Sequence, residues 1–261
     1  MTGFKENHTP KLPPKTKPEL SPEKLREKMH DPSFLPTREQ IKQAFTNEEE
    51  RHQFCFNRKN RVFEFLNQEY LEAFTDHLAD RINEYGASGD SPLVIVEICA
   101  GNGRLSHFLR QKLEEKIPGL TKIIATDSGK SNIKNHFPVE LLKHDEAIKK
   151  HQPTIVVCSW MPANTDLSGD IRQSDCVKEY ILIGETDNGG CGERWATWGD
   201  APPQDEDEED NLKILPYEQD NFFREDLHDL SSLQTCGSDK LEDYSYSSTV
   251  SFKRKTNEKI R

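Results

Sequence analysis

The sequence predicts an α/β fold with a mostly parallel sheet, preceded by a helical extension. Three observations carry that reading. From residue 93 short apolar runs (LVIVEIC, KIIAT, VELL, TIVVCSW, EYILIG) alternate with more polar helical stretches, the pattern of strand and crossover-helix units. Between Thr37 and Gly86 the apolar residues recur instead at steps of three and four. Late in the chain YSYSSTVSF alternates with period two, so that Tyr244, Tyr246, Ser248, Val250 and Phe252 share one face. With no room for a crossover helix after it, this last strand is expected to run antiparallel.

Taken in order, residues 1 to 36 hold seven of the fifteen prolines among lysines and few large apolar groups. Such a segment cannot offset its ordering entropy by burial and is expected to be a disordered tail. At Thr37 the text changes: Thr37 and Gln40 have capping-box spacing, and Ile41, Ala44 and Phe45 follow on one helical face. Phe63, Leu66, Tyr70, Phe74, Leu78 and Ile82 then line one stripe of a longer helix that stops near Gly86. The turn residues ASGDSP (87 to 92) separate this extension, 37 to 86, from an α/β domain spanning 93 to 254. Inside that domain DAPPQDEDEEDNL (200 to 212) is too charged and proline-broken for a core element, and is expected to be an acidic surface loop.

Composition limits the functions open to such a domain. Six of the acids behind the net charge of −11 sit in residues 205 to 210, so the rest of the chain carries only −5. That balance lacks the basic stripe of a general nucleic-acid surface. The cysteines, Cys55, Cys99, Cys158, Cys176, Cys191 and Cys236, are far apart with no CxxC, and are expected to be reduced thiols. Cys176, Cys191 and His228 match no zinc spacing, so no metal is expected. Neither a membrane span nor an apolar signal segment is visible, which leads to the expectation of a soluble cytoplasmic protein.

The most informative stretch is LVIVEICAGNGRL, residues 93 to 105. A strand that runs into a glycine-rich turn and then a helix brings backbone N–H groups and the positive helix end to one spot. Gly101 and Gly103 permit close backbone approach there. A dinucleotide fingerprint would need a third glycine at position 106, which is serine. Glu97, at the end of the strand, would repel a pyrophosphate but could hold a cationic amino-acid ligand.

The stretch E97-I-C99-A-G101-N-G103 resembles the first motif of class I S-adenosylmethionine-dependent methyltransferases, an acid followed by three glycines at alternate positions, with Cys99 in the place of the first glycine. The resemblance covers roughly residues 93 to 254 and implies a Rossmann-like sheet of seven mostly parallel strands. It implies S-adenosyl-L-methionine as cofactor, held by Glu97, Cys99, Ala100, Gly101, Asn102 and Gly103. Asp127, at the tip of the next strand, would accept bonds from the ribose hydroxyls, and Asp145 would face the adenine amino group. Ser159, Trp160, Met161 and Pro162 occupy the place of the superfamily's substrate-side loop, although SWMP is not the N-P-P-Y order of amino-group methylases.

Methyl transfer is an in-line displacement in which the protein's main task is positioning, so the sequence indicates the cofactor while leaving the acceptor open. A small molecule or a protein side chain is expected rather than nucleic acid. Its pocket should be bounded by the 159 to 161 loop, by Glu185 and by the glycine-tryptophan stretch ETDNGGCGERWATWG, with Glu185 or His144 as candidate bases. The rivals are a methyltransferase-like interaction module without catalysis and, last, a nicotinamide dehydrogenase.

Overall fold

The computed structural model describes residues 20–56, 62–187, 190–200, 214–239 and 247–255. Four helices lead the chain: α1 (Pro22–Met29), α2 (Arg38–Ala44), α3 (Glu48–Cys55) and α4 (Gln68–Glu84). The sheet domain follows with β1 (Leu93–Ile98), α5 (Arg104–Lys116), β2 (Thr121–Asp127), β3 (Glu140–Leu141), α6 (His144–His151), β4 (Ile155–Ser159), α7 (Ser168–Arg172) and β5 (Glu179–Glu185). A π-helical turn at Arg194–Trp198 precedes α8 (Pro216–Gln219), β6 (Phe222–Asp226), α9 (His228–Ser231) and β7 (Ser247–Arg254). None of the described helices is long and apolar enough to cross a membrane.

The strands form one seven-stranded sheet in the order β3-β2-β1-β4-β5-β7-β6. β1 to β5 are mutually parallel, and β7 runs antiparallel to both β5 and β6. The order 3-2-1-4-5 is that of the doubly wound nucleotide-binding fold, which opens a crevice at the carboxyl ends of β1 and β4, where the strand order reverses. Central strands of such a sheet are covered on both faces, which is why β1, β4 and β5 read as continuous apolar runs. One face packs α4 and α5, with Phe74, Leu78 and Ile82 against Ile95, Leu109 and Leu113. The other carries Val96, Val156, Tyr180, Phe252 and Trp198 with Ala147 and Ile148 of α6.

α4 is also pinned to the sheet by charge. Arg81 Nε donates to the fully buried Glu179 Oε2 at 2.7 Å, and Ser251 Oγ donates to Oε1 at 2.6 Å. Burial alone would raise the Glu179 carboxyl, but nearby His77, 3.6 Å away, and the hydrogen bonds from Ser251 and Arg81 outweigh it and hold the group at about 2.

Several expectations meet the structure differently. Within the segment expected to be a tail, residues 20 to 36 are folded. α1 is capped by Ser21 and begins with Pro22, and its Leu25 is buried with Ile41, Phe45, Phe54 and Phe65 in a separate core. Few apolar residues are enough when one of them sits at the centre of a cluster. The Thr37–Gln40 capping box is present. The long helix, however, starts only at Gln68, because Asn67 caps it through Tyr70 N at 2.8 Å. Phe63 and Leu66 therefore lie before it. Residues 63 to 65 run extended against 235 to 237, with Phe65 N donating to Thr235 O and Gly237 N to Phe63 O. β6 was not anticipated, since FFRED has no alternating pattern. The acidic stretch 201 to 212, Tyr244 and Tyr246 lie outside the described residues.

Candidate functional site

A cavity of about 570 Å³ lies at the carboxyl ends of β1, β2, β4 and β5. That volume falls inside the range of about 300–1,000 Å³ usual for small-ligand and cofactor sites. Its floor is the glycine turn: Glu97, Cys99, Ala100, Gly101 and Asn102 all line it, as does Asp127. The turn requires left-handed backbone at three alternate positions, Cys99 (φ 55°), Gly101 (φ 53°) and Gly103 (φ 78°). Cys99 thus adopts the conformation that glycine would take without strain.

Glu97 is buried, and Ser106 donates to its Oε2 through both its backbone N (3.0 Å) and its Oγ. Burial pushes the Glu97 carboxyl up to about 7 against these two bonds. Both bonds fall on Oε2, which leaves Oε1 for whatever enters the cavity. Ser106 therefore does something the third glycine of a dinucleotide fingerprint could not: it ties the acid to the first turn of α5. Asp127 accepts from Gly101 N at 3.0 Å and from Gly129 N at 2.7 Å, so the tip of β2 braces the glycine turn.

After β4 and β5 the lining is built by Ser159, Trp160, Met161 and Glu185, together with Gly190 and Cys191. Trp160 follows β4 directly in left-handed backbone (φ 57°) and stacks on Phe63, with ring centroids 5.4 Å apart. Glu185 accepts from Gly190 N at 2.7 Å.

Three expected placements differ. Gly103 does not line the cavity; it begins α5 with Val139 and Phe137 against it, so its glycine serves packing. Asp145 is exposed in the first turn of α6 and is absent from the lining, and His144 bonds Asp170 at 2.7 Å away from the cavity. The two tryptophans of ETDNGGCGERWATWG also stay out: Trp198 is a core residue whose Nε1 donates to Cys191 O at 2.8 Å.

One carboxylate was missed. Glu64 lines the cavity beside Trp160, accepting from Trp160 Nε1 at 3.0 Å and from Gln234 Nε2 at 2.9 Å. Enclosure by protein on its other sides raises it to about 7. Reading 63 to 82 as one helix hid it; recognising Asn67 as the helix cap would have left FEF as an extended segment with its acid alternating between two phenylalanines.

No family model matches the chain, and no curated protein matches it. Among solved structures it is similar to the CurJ carbon methyltransferase (12% identity, 71% of this chain and 54% of that one, TM-score 0.40). It is also similar to the DszA carbon methyltransferase (13%, 90% and 66%, TM-score 0.44) and to the N-terminal domain of EvdMO1 with SAH bound (12%, 90% and 98%, TM-score 0.38). The chain thus spans about half to two thirds of the two carbon methyltransferases. The fold itself stands on this chain's own strands, a seven-stranded, mostly parallel sheet in the order β3-β2-β1-β4-β5-β7-β6.

Proposed function

We propose that the cavity binds S-adenosyl-L-methionine and that the chain is a methyltransferase. The observation that carries this is Glu97: a buried acid under a glycine turn, with one carboxylate oxygen left to the cavity. A phosphate ligand would be repelled there, whereas an ammonium would be held. The residues present fit the cofactor. Glu97 would hold its amino group, the backbone of Ala100, Gly101 and Asn102 would lie along its methionyl part, and Asp127, whose oxygens each keep a second acceptor site, would take its ribose hydroxyls. When bound, the cofactor supplies a methyl group already activated on a sulfonium.

Positioning is then the main work of the chain. Trp160 and Met161 form the acceptor wall, and apolar lining from Phe63, Leu66 and Ile183 keeps water from competing. The acceptor favoured is a small molecule or a protein side chain. A tritiated-methyl transfer screen over cell extract, fractionated into metabolites, protein and RNA, tests this. Label in metabolites or protein is expected; label chiefly in RNA reverses the ranking, and no label in any fraction despite cofactor binding favours an interaction module.

A further inference from the structure

Glu64 gives the acceptor a chemical class. Resting on the methyltransferase reading above, we propose that Glu64 is the general base of the reaction and that the acceptor is an apolar small molecule bearing an acidic hydroxyl of the phenol or enol type. The acid stands on the β4 side of the cavity: it is bonded to Trp160, which follows β4, whereas the glycine turn that would hold the cofactor follows β1. It comes from the extended segment 63 to 65, which is fixed against 235 to 237 by backbone bonds, so its position does not depend on a mobile lid.

Its partners prepare it to accept a proton. Trp160 Nε1 and Gln234 Nε2 both donate, one to each carboxylate oxygen, and neither can receive a proton in return. The remaining acceptor sites open on the cavity, where an entering O–H would meet them. Among the described residues, the other titratable groups facing Glu64 are Tyr70 of α4, Cys191 after β5, and Cys236 and Asp239 beside the paired segment, and none of these is a cation. With its carboxyl at about 7, Glu64 is mismatched to a phenol, near 10, by only about three units, a gap the developing transfer can bridge.

The surroundings select a neutral acceptor. Phe63, Leu66, Trp160, Met161 and Ile183 make this end of the cavity largely apolar. A neutral hydroxyl keeps lone pairs with which to attack the methyl carbon, whereas an ammonium pairing with Glu64 has none until it loses a proton. In the step itself the acceptor's O–H proton passes to a Glu64 oxygen, and the acceptor oxygen forms a bond to the methyl carbon. The S–CH3 bond breaks with its electron pair going to sulfur, which leaves neutral S-adenosylhomocysteine. Charge balances, since the cationic sulfonium and the carboxylate are both neutral afterwards.

The test uses the full chain with 1-naphthol, 1-naphthylmethylamine and 1-naphthoic acid as probes. Methyl transfer from labelled S-adenosylmethionine is followed in the wild type, Glu64→Gln and Glu64→Asp, with calorimetric titration of S-adenosylhomocysteine, and of 1-naphthol into the S-adenosylhomocysteine-loaded protein. Expected are label in 1-naphthol alone, and a kcat fall of about 10²-fold or more in Glu64→Gln. Both affinities should stay within a few fold, Glu64→Asp should recover part of the rate, and the acidic limb near pH 7 should vanish from the Glu64→Gln profile. Label in the amine or the carboxylate, no label in any probe despite cofactor binding, or wild-type kcat in Glu64→Gln overturns the base assignment while leaving the cofactor site standing. Absence of cofactor binding in the wild type overturns both. If Glu64→Gln loses its affinity for S-adenosylhomocysteine, Glu64→Asp decides: wild-type affinity with a kcat fall and a displaced pH limb supports the base, and an unchanged profile refutes it.

Discussion

Gly103 and Gly101 stand two residues apart in the same turn, with similar left-handed backbone, yet the structure gives them different reasons to be glycine. A Cβ on Gly103 (φ 78°) would lie 2.7 Å from Val139 Cγ2 and 3.3 Å from Phe137 Cβ; on Gly101 (φ 53°) it would meet Ile133 at ordinary distances, 3.5 Å to Cδ1 and 3.9 Å to Cγ2. Left-handed backbone costs a non-glycine residue about 1–2 kcal/mol. Forcing a methyl into packed surroundings adds about 1–3 kcal/mol. Gly103→Ala should therefore lose about 2–5 kcal/mol, and Gly101→Ala only about 1–2 kcal/mol. For a chain of this size the first corresponds to a melting point lower by about 4–20 °C. Urea unfolding followed by far-ultraviolet circular dichroism measures both. Equal losses in the two variants, or a Gly103→Ala protein as stable as the wild type, would refute the packing assigned to the start of α5.

Arg81→Met should cost about 3–5 kcal/mol in the same assay, because it leaves Glu179 buried without its guanidinium. A loss under about 1 kcal/mol would show that Ser251, His77 and Tyr85, whose hydroxyl donates to Glu179 Oε2 at 2.8 Å, suffice. Leu25→Ala should cost about 2–5 kcal/mol if α1 is part of the folded core, and nothing if the segment is a free tail. The unliganded protein should lose stability as pH rises. Glu97 and Glu64 hold their protons up to about 7 when folded, against 4.5 as the ordinary value, so the folded state binds more protons across that window. Urea midpoints should fall between pH 5 and pH 8, and Glu97→Gln should flatten the slope; a rising midpoint contradicts the burial of both acids. Trp160→Phe, which removes one of the two donors to Glu64, should lower methyl transfer while keeping cofactor affinity within a few fold, and equal losses of both would place Trp160 in the cofactor's own site.

The sheet was legible because each central strand is covered on both faces and therefore reads as an unbroken apolar run. The glycine turn was legible because an acid and small residues at fixed spacing have few other uses. What escaped detection depends on contacts distant in sequence. Glu64 reaches the cavity only because residues 63 to 65 pair with 235 to 237, some 170 positions away, and nothing local announces that pairing. Leu25 gains its burial from α2, α3 and Phe65, so its own proline-rich neighbourhood looked unable to fold. Asp145 and Trp198 failed in the opposite sense: their positions along the chain matched the expected site, but a capped helix start claimed one and the core beneath the sheet claimed the other.

The central claim is that the cavity under the glycine turn holds S-adenosylmethionine. Isothermal titration of S-adenosylmethionine and S-adenosylhomocysteine into the wild type and Gly101→Val addresses it without any knowledge of the acceptor. Binding in the micromolar range, about −8 kcal/mol, is predicted for the wild type. It should be abolished in Gly101→Val, whose side chain would grow from a Cβ already touching Ile133 on the cavity wall. No heat with either ligand in the wild type, or unchanged affinity in a folded Gly101→Val protein, would contradict it.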